Sequence, residues 1–308
     1  MVALSERVLR VRAPNPSPMT LTGTNTYLVR TSSDSALVVD PGPLIDAHVD
    51  AIVATAAEHD LEIRTILVTH GHPDHAPAAA PLSQRTGAPV LAHPLAEFPV
   101  DRRLRDNEQL EFDGATILAV DAPGHAKDHL VFSLREEGAL FTGDVVLGSG
   151  TVVVAPPGGA MRPYQRTLDR LLREHGDARA IYGGHGEAVD DPRSKLVEYI
   201  EHRKMREREL LARLSQGEAT IPELVRTIYA GIDRRLWPAA ARQMLAYLIA
   251  LEEENRVVPT LLERSPTPEE ASILDRNLQR IADPAAAEVA RAELGTAVQL
   301  PLVSYRLA

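Results

Sequence analysis

Between Thr69 and His75 the chain reads Thr-His-Gly-His-Pro-Asp-His, which puts His70, His72, Asp74 and His75 within six residues. Imidazole and carboxylate are ligands for divalent cations, and a cluster of four lacks the ordinary explanation that serves an isolated surface histidine. On a loop leaving a strand end, His70 and His72 point to one side and can converge on one ion. Gly71 and Pro73 bend the chain so that Asp74 and His75 can face a second. Three more candidates each follow an apolar segment and sit beside glycine: His125 in Pro-Gly-His, Asp144 in Thr-Gly-Asp and His185 in Gly-Gly-His-Gly. A glycine there lets the backbone turn sharply and approach a cation without a Cβ clash. The 308 residues contain no cysteine, so disulfides, thiolate sites and a cysteine nucleophile are excluded. The remaining cage of nitrogen and oxygen suits Zn²⁺, with Mn²⁺ or Fe²⁺ admissible in the same ligands. His48, His59, His93 and His175 stand alone and read as surface or hydrogen-bonded core groups.

The elements that must position these residues are short. Apolar segments at 26–30, 36–40, 65–69, 90–93, 116–120, 130–134 and 139–142 are bounded by Gly, Pro and Asp and read as strands. Helical patterns fall at 47–59, 77–87 and 163–175. Consecutive strands followed by strands alternating with helices predict an α+β or layered fold of helices packed on sheets. A doubly wound nucleotide fold is disfavoured, because no Gly-rich phosphate fingerprint follows the first strands. From residue 193 the composition shifts to long helices at 193–214, 221–229 and 237–255, followed by a strand at 257–262. That order is a winged-helix module if 257–262 and 300–307 pair as the wing. Residues 1–192 are thus expected to form the catalytic domain and 193–308 a helical C-terminal one. An inserted segment at 263–299 is long for a wing loop.

Composition narrows the partners. With 44% hydrophobic and 25% charged residues the chain is globular, and no stretch approaches the roughly 20 apolar residues of a spanning helix. Arginines alternate with aliphatics from Met1 to Arg12, unlike a secretory leader, so a cytoplasmic protein with no membrane partner is expected. A net charge of −10 disfavours a surface that grips phosphate backbones throughout. The would-be reading helix 237–255 has Arg242 as its sole basic residue and ends in three glutamates, so no DNA reading is expected. The module is better read as a lid or a homo-oligomer surface.

The motifs carry a resemblance. The His-Gly-His-Pro-Asp-His segment, followed by Pro-Gly-His, Thr-Gly-Asp and Gly-His-Gly, resembles the metallo-β-lactamase superfamily. That resemblance implies an αββα sandwich, with His70, His72 and His125 on one zinc, Asp74, His75 and His185 on a second, and Asp144 bridging them. It further implies a metal-bridged hydroxide as nucleophile, with Asp74 orienting it and receiving its proton. Two dications lower the pKa of such a water from 15.7 toward about 7. Zinc β-lactamases of the commonest kind carry cysteine where this chain has Asp144, so antibiotic hydrolysis is disfavoured. Thr22 to Val29, Asp40-Pro41-Gly42, Gly143 to Thr151 and Tyr199 to Leu210 are similar to the lactamase-beta-2-like family, a sandwich followed by a winged-helix tail. Animal members are associated with endoribonuclease activity on single-stranded RNA, fungal relatives with hydrolysis of acyl-carrier thioesters. The substrate implied is therefore single-stranded RNA or a small acyl thioester or ester, as in glyoxalase II-like enzymes. An iron-dependent redox role would need a flavin module or a partner.

Supporting residues keep two readings. Asp40 either accepts a hydrogen bond from a ligand imidazole or forms an Asx turn before Pro41. His129 is a partner behind the ligands or a buried structural histidine. Asn25 and Tyr27 organise a strand turn. Thr151 and Tyr164 are candidate pocket residues. Helix 193–214 carries seven basic residues against four glutamates, either a solvated salt-bridged face or an anion-receiving wall in which His202 and Arg203 take part.

Overall fold

The computed structural model describes residues 1–274 and 302–308. Seven strands lie side by side in chain order: β1 (Val2–Ala3), β2 (Val8–Arg12), β3 (Asn25–Arg30), β4 (Ser35–Val39), β5 (Glu62–Leu67), β6 (Val90–Ala92) and β7 (Arg102–Arg103). Pairing is antiparallel from β1 to β4 and parallel from β4 to β7. Parallel neighbours need crossovers, and α1 (Asp46–Glu58) and α2 (Ala79–Thr86) supply the first two. Strand alternation then decides which side chain enters which layer. Leu28, Val38 and Ile66 face the helices and pack with Val49, Ile52 and Leu82. Tyr27, Val29, Leu37 and Leu67 face the other way, onto Ile117, Phe132 and Phe141 of a second sheet.

That second sheet contains β8 (Glu108–Phe112), β9 (Ala115–Asp121), β10 (Leu130–Leu134), β11 (Ala139–Gly143) and β12 (Ala180–Gly183), in the spatial order β12-β11-β10-β9-β8. Its outer face, with Val131, Leu140 and Ile181, is covered by α3 (Met161–His175) and by Leu196, Tyr199 and Ile200 of α4 (Pro192–Leu214). The result is helix, sheet, sheet, helix, the α+β sandwich expected from the sequence. β2 and β8, absent from the expected strands, interleave charged residues with apolar ones. Arg10 on β2 is buried, paired with Glu187 at 2.7 Å and donating to Gly186 O at 3.3 Å.

The chain continues through β13 (Ala219–Thr220), α5 (Ile221–Ile228), a 3₁₀ turn at Arg234–Leu236, α6 (Trp237–Glu253), β14 (Val257–Leu261), α7 (Pro268–Leu274) and β15 (Val303–Leu307). β14 and β15 pair antiparallel as the expected wing, and β13 joins on the free edge of β15. α7 occupies part of the segment 263–299; residues 275–299 lie outside the described residues. One apolar cluster runs unbroken from Val131 and Leu140 through Leu171 and Leu196 to Leu224, Met244, Leu251 and Val257. The winged-helix elements therefore share the core of the outer helical layer. α6 is buried along nearly its whole length and presents no face for a DNA groove. Among the described residues no helix is long and apolar enough to cross a membrane.

Candidate metal centre

The loops leaving β5, β9, β11 and β12 bring the seven candidate side chains together at one end of the sandwich. His72 Nδ1 lies 3.0 Å from His70 Nε2 and 2.9 Å from His125 Nε2. Asp74 Oδ2 lies 3.2 Å from His75 Nε2 and 3.1 Å from His185 Nε2. Asp144 stands between the two groups. Its Oδ2 is 3.6 Å from His125 Nε2 and 3.4 Å from His185 Nε2, and its Oδ1 is 3.5 Å from His75 Nε2. Ligands about 2.05 Å from a tetrahedral zinc are separated by about 3.3 Å, the middle of this range.

Surrounding groups fix the orientation of each ring. Asp40 sits at a left-handed φ of +51° at the end of β4. Its Oδ2 accepts from His75 Nδ1 at 2.8 Å and from Thr69 Oγ1 at 2.8 Å, and its Oδ1 accepts from Thr69 N at 2.7 Å. The imidazole of His75 thus turns Nε2 toward Asp74, which is the ligand-orienting alternative for Asp40. His125 Nδ1 donates to Val153 O at 3.0 Å, which turns its Nε2 inward in the same way. His129 is completely buried, stacks on His70 at 4.5 Å between centroids and accepts from the Asp144 backbone N–H at 3.1 Å. It stands behind the cluster. Tyr27 Oη and Asn25 Nδ2 donate to Gly183 O at 2.7 and 3.0 Å, so the start of β3 braces the turn that carries His185. Gly184 in that turn tolerates no side chain, because a Cβ would fall 2.5 Å from Asp144 Oδ1 and 2.6 Å from His75 Cε1. Thr24, which lies in the Thr22 to Val29 segment but is given no role there, donates its hydroxyl to Asp74 Oδ2 at 3.0 Å. The run of threonines around it gave no signal of that role.

The electrostatics divide the centre in two. Burial and the neighbouring imidazoles hold His70 well below its usual value, and burial pushes His125 down to about 3. These rings are neutral donors. In the other half burial opposes every charge, yet the His75 and His185 imidazoles hold the Asp74 and Asp144 carboxyls well below their usual range. The same carboxylates raise His75 and His185, the latter to about 10. Even so, Asp74 Oδ1, Asp144 Oδ1, His75 Nε2 and His185 Nε2 are buried without a hydrogen-bond partner. Carboxylates balanced only by protons on two imidazoles, beside three neutral imidazoles, form a cage in which divalent cations can replace those protons.

The model of the metallo-β-lactamase superfamily matches residues 19–185, which is more than half of the chain. The chain belongs to that superfamily. The model of the β-lactamase-associated winged helix domain matches residues 220–260. The "Lactamase-like protein adaB" of Aspergillus niger is 34% identical over 271 residues, 82% of this chain and 83% of that protein. The "Atrochrysone carboxyl ACP thioesterase" of Aspergillus chevalieri is 35% identical over 240 residues, 74% of this chain and 75% of the relative. The crystal structure of a metallo-β-lactamase family protein from Thermus thermophilus superposes with a TM-score of 0.70. It is 27% identical and covers 84% of this chain and 97% of its own.

A cavity of about 600 Å³ opens onto the metallo-β-lactamase centre at His72, His125 and Asp144. Its walls come from the loop that includes Met19 and Leu21, from the segment 147–158, from His202 and Arg206 on α4, and from the start of α6. Thr151 lies on it. Two expectations need correction. Tyr164 is in the core, donating to Val145 O at 2.7 Å and packed against Gly124, where a Cβ would fall 2.2 Å from the Tyr164 Cα. Arg203 is 1% exposed, lies over the Tyr164 ring at 5.0 Å and donates to Val152 O at 2.7 Å. On a helix His202 and Arg206 share a face and Arg203 is turned about 100° away from it, so of the α4 arginines it is Arg206 that lines the cavity.

Proposed function

We propose that this chain is a binuclear zinc hydrolase that cleaves the thioester or ester of an acyl compound. One observation carries the substrate class: the cavity on the metal centre is walled mostly by aliphatic side chains, among them Met19, Leu21, Leu147, Val152, Ile232 and Leu236. Such a slot suits an acyl chain. The relative from Aspergillus chevalieri named as a thioesterase supports the same bond type. For single-stranded RNA the cavity offers one tyrosine, Tyr229, as a stacking platform.

His70, His72 and His125 would hold one ion, Asp74, His75 and His185 the other, and Asp144 both. Bound there, the ions supply Lewis acidity and a water acidic enough to attack at neutral pH. The chain's own residues do the rest. Asp40 and Val153 O hold His75 and His125 in one tautomer. Thr24 fixes Asp74 by Oδ2 and leaves Oδ1, without a partner, to take the proton of the attacking water. Segment 147–158 and the start of α6 keep bulk water from the acyl group.

Turnover of an acyl-N-acetylcysteamine thioester and of a fluorogenic single-stranded RNA, each with and without chelator, tests this. Chelator should abolish thioester turnover, and Asp74→Ala should lower kcat by about 10²- to 10⁴-fold. Exclusive cleavage of RNA, or thioester turnover that survives Asp74→Ala, overturns the reading.

A further inference from the structure

The α6 wall of the cavity contains a cation with no carboxylate paired to it among the described residues. Arg242 is the one basic residue of α6, is 5% exposed and lines the cavity beside Ala239 and Ala240. Of its five N–H donors, one is used among the described residues, from Nη2 to Pro156 O at 2.7 Å. Nε is buried without a partner, and Nη1 makes no hydrogen bond to the described residues. No carboxylate among the described residues pairs with it. The neighbouring cation differs in this respect: Arg206 Nη1 donates to Glu209 Oε2 at 2.7 Å and to Ile228 O at 3.0 Å. Burying a guanidinium without a counter-charge is unfavourable unless something arrives to neutralise it. Burial also holds the Arg242 guanidinium below its usual range.

We infer that Arg242 receives a carboxylate at the end of the substrate's acyl chain, so that the enzyme acts on acyl thioesters or esters bearing a second, negatively charged terminus. The inference rests on the hydrolase reading above. A guanidinium presents a planar fork matched to a carboxylate, and the aliphatic surroundings strengthen the pairing by lowering the local dielectric. One end of the cavity then holds the scissile carbonyl against His72, His125 and Asp144, and the α6 end selects the chain by its charge. The winged-helix elements thus supply a specificity residue to the site of the sandwich.

The test compares adipoyl- and hexanoyl-N-acetylcysteamine, which differ only in the terminal carboxylate, on the metal-loaded wild type, Arg242→Gln and Arg242→Lys. Wild type should prefer the adipoyl thioester about ten- to a hundredfold in kcat/KM, the range of one charge-assisted hydrogen-bonded contact. The ratio should collapse toward one in Arg242→Gln and be partly kept in Arg242→Lys, with circular dichroism verifying that both fold. A wild-type ratio near one, or a preference unchanged in Arg242→Gln, overturns the inference. A parallel pair of coenzyme A thioesters locates the anion. If Arg242→Gln penalises both of these and neither N-acetylcysteamine thioester, the charge read is a phosphate of the leaving group and the carboxylate assignment falls. If no thioester is hydrolysed, the hydrolase reading has failed, and calorimetric titration with adipate and hexanoate still decides for Arg242. Tighter adipate binding lost in Arg242→Gln upholds the site, and equal binding refutes it.

Discussion

Replacing Asp40 by asparagine isolates what holds the metal centre in shape. Asparagine tolerates the left-handed backbone that Asp40 adopts, so the end of β4 keeps its conformation. What changes is the acceptor count. Asp40 receives three donors, His75 Nδ1, Thr69 Oγ1 and Thr69 N, through two buried oxygens. An amide has one oxygen and an NH₂ group. If its oxygen stays with Thr69 N, His75 Nδ1 faces a donor and its proton must move to Nε2, the atom 3.2 Å from Asp74 Oδ2 that is proposed to hold the second ion. If its oxygen stays with His75, Thr69 N is left without an acceptor. Either arrangement strands at least one buried donor, at about 1–3 kcal/mol. Affinity for the second ion should therefore fall about 10- to 100-fold. Competition of Asp40→Asn and wild type against a zinc indicator, with elemental analysis after gel filtration, measures the change. A competition curve and zinc content equal to wild type would refute the argument that the Asp40 carboxylate sets the His75 tautomer.

Other substitutions probe the rest of the cage. His125→Ala and His185→Ala should each lower bound metal by one ion per chain, and unchanged stoichiometry in both would break the ligand assignment. Gly184→Ala introduces a Cβ 2.5 Å from Asp144 Oδ1 and should reduce metal affinity by about tenfold or more while far-ultraviolet circular dichroism stays native. Wild-type affinity would show that the turn can relax. Away from the centre, Glu270 accepts from Arg264 and from Thr267 N, which hold its carboxyl down at about 2 against the usual 4.5. Its stabilisation is complete above about pH 4.5 and fades as pH falls toward about 2. The difference in denaturant midpoint between wild type and Glu270→Gln should shrink across that window, and a pH-independent difference would contradict it.

The seven metal-binding candidates were legible because a chemical requirement left a local trace: several ligands on one loop, and glycines wherever the chain comes close to the cage. The main strands and helices were legible for a similar reason, since each buries one face and so writes its period into the chain. Thr24 left no such trace. It matters through a hydrogen bond to Asp74, fifty positions further along, and its place in the Thr22 to Val29 segment does not reveal that partner. Arg203 and Tyr164 were misplaced because residue type gives a charge or a hydroxyl but not the rotation of a helix against its neighbours, and here that rotation put both in the core and Arg206 on the cavity. The sequence by itself thus determined the set of candidate metal ligands and the layered fold, both of which depend on local pattern. Tertiary packing alone decided the shape and charge of the cavity, because its walls are joined only where the helices of the C-terminal module dock on the sandwich.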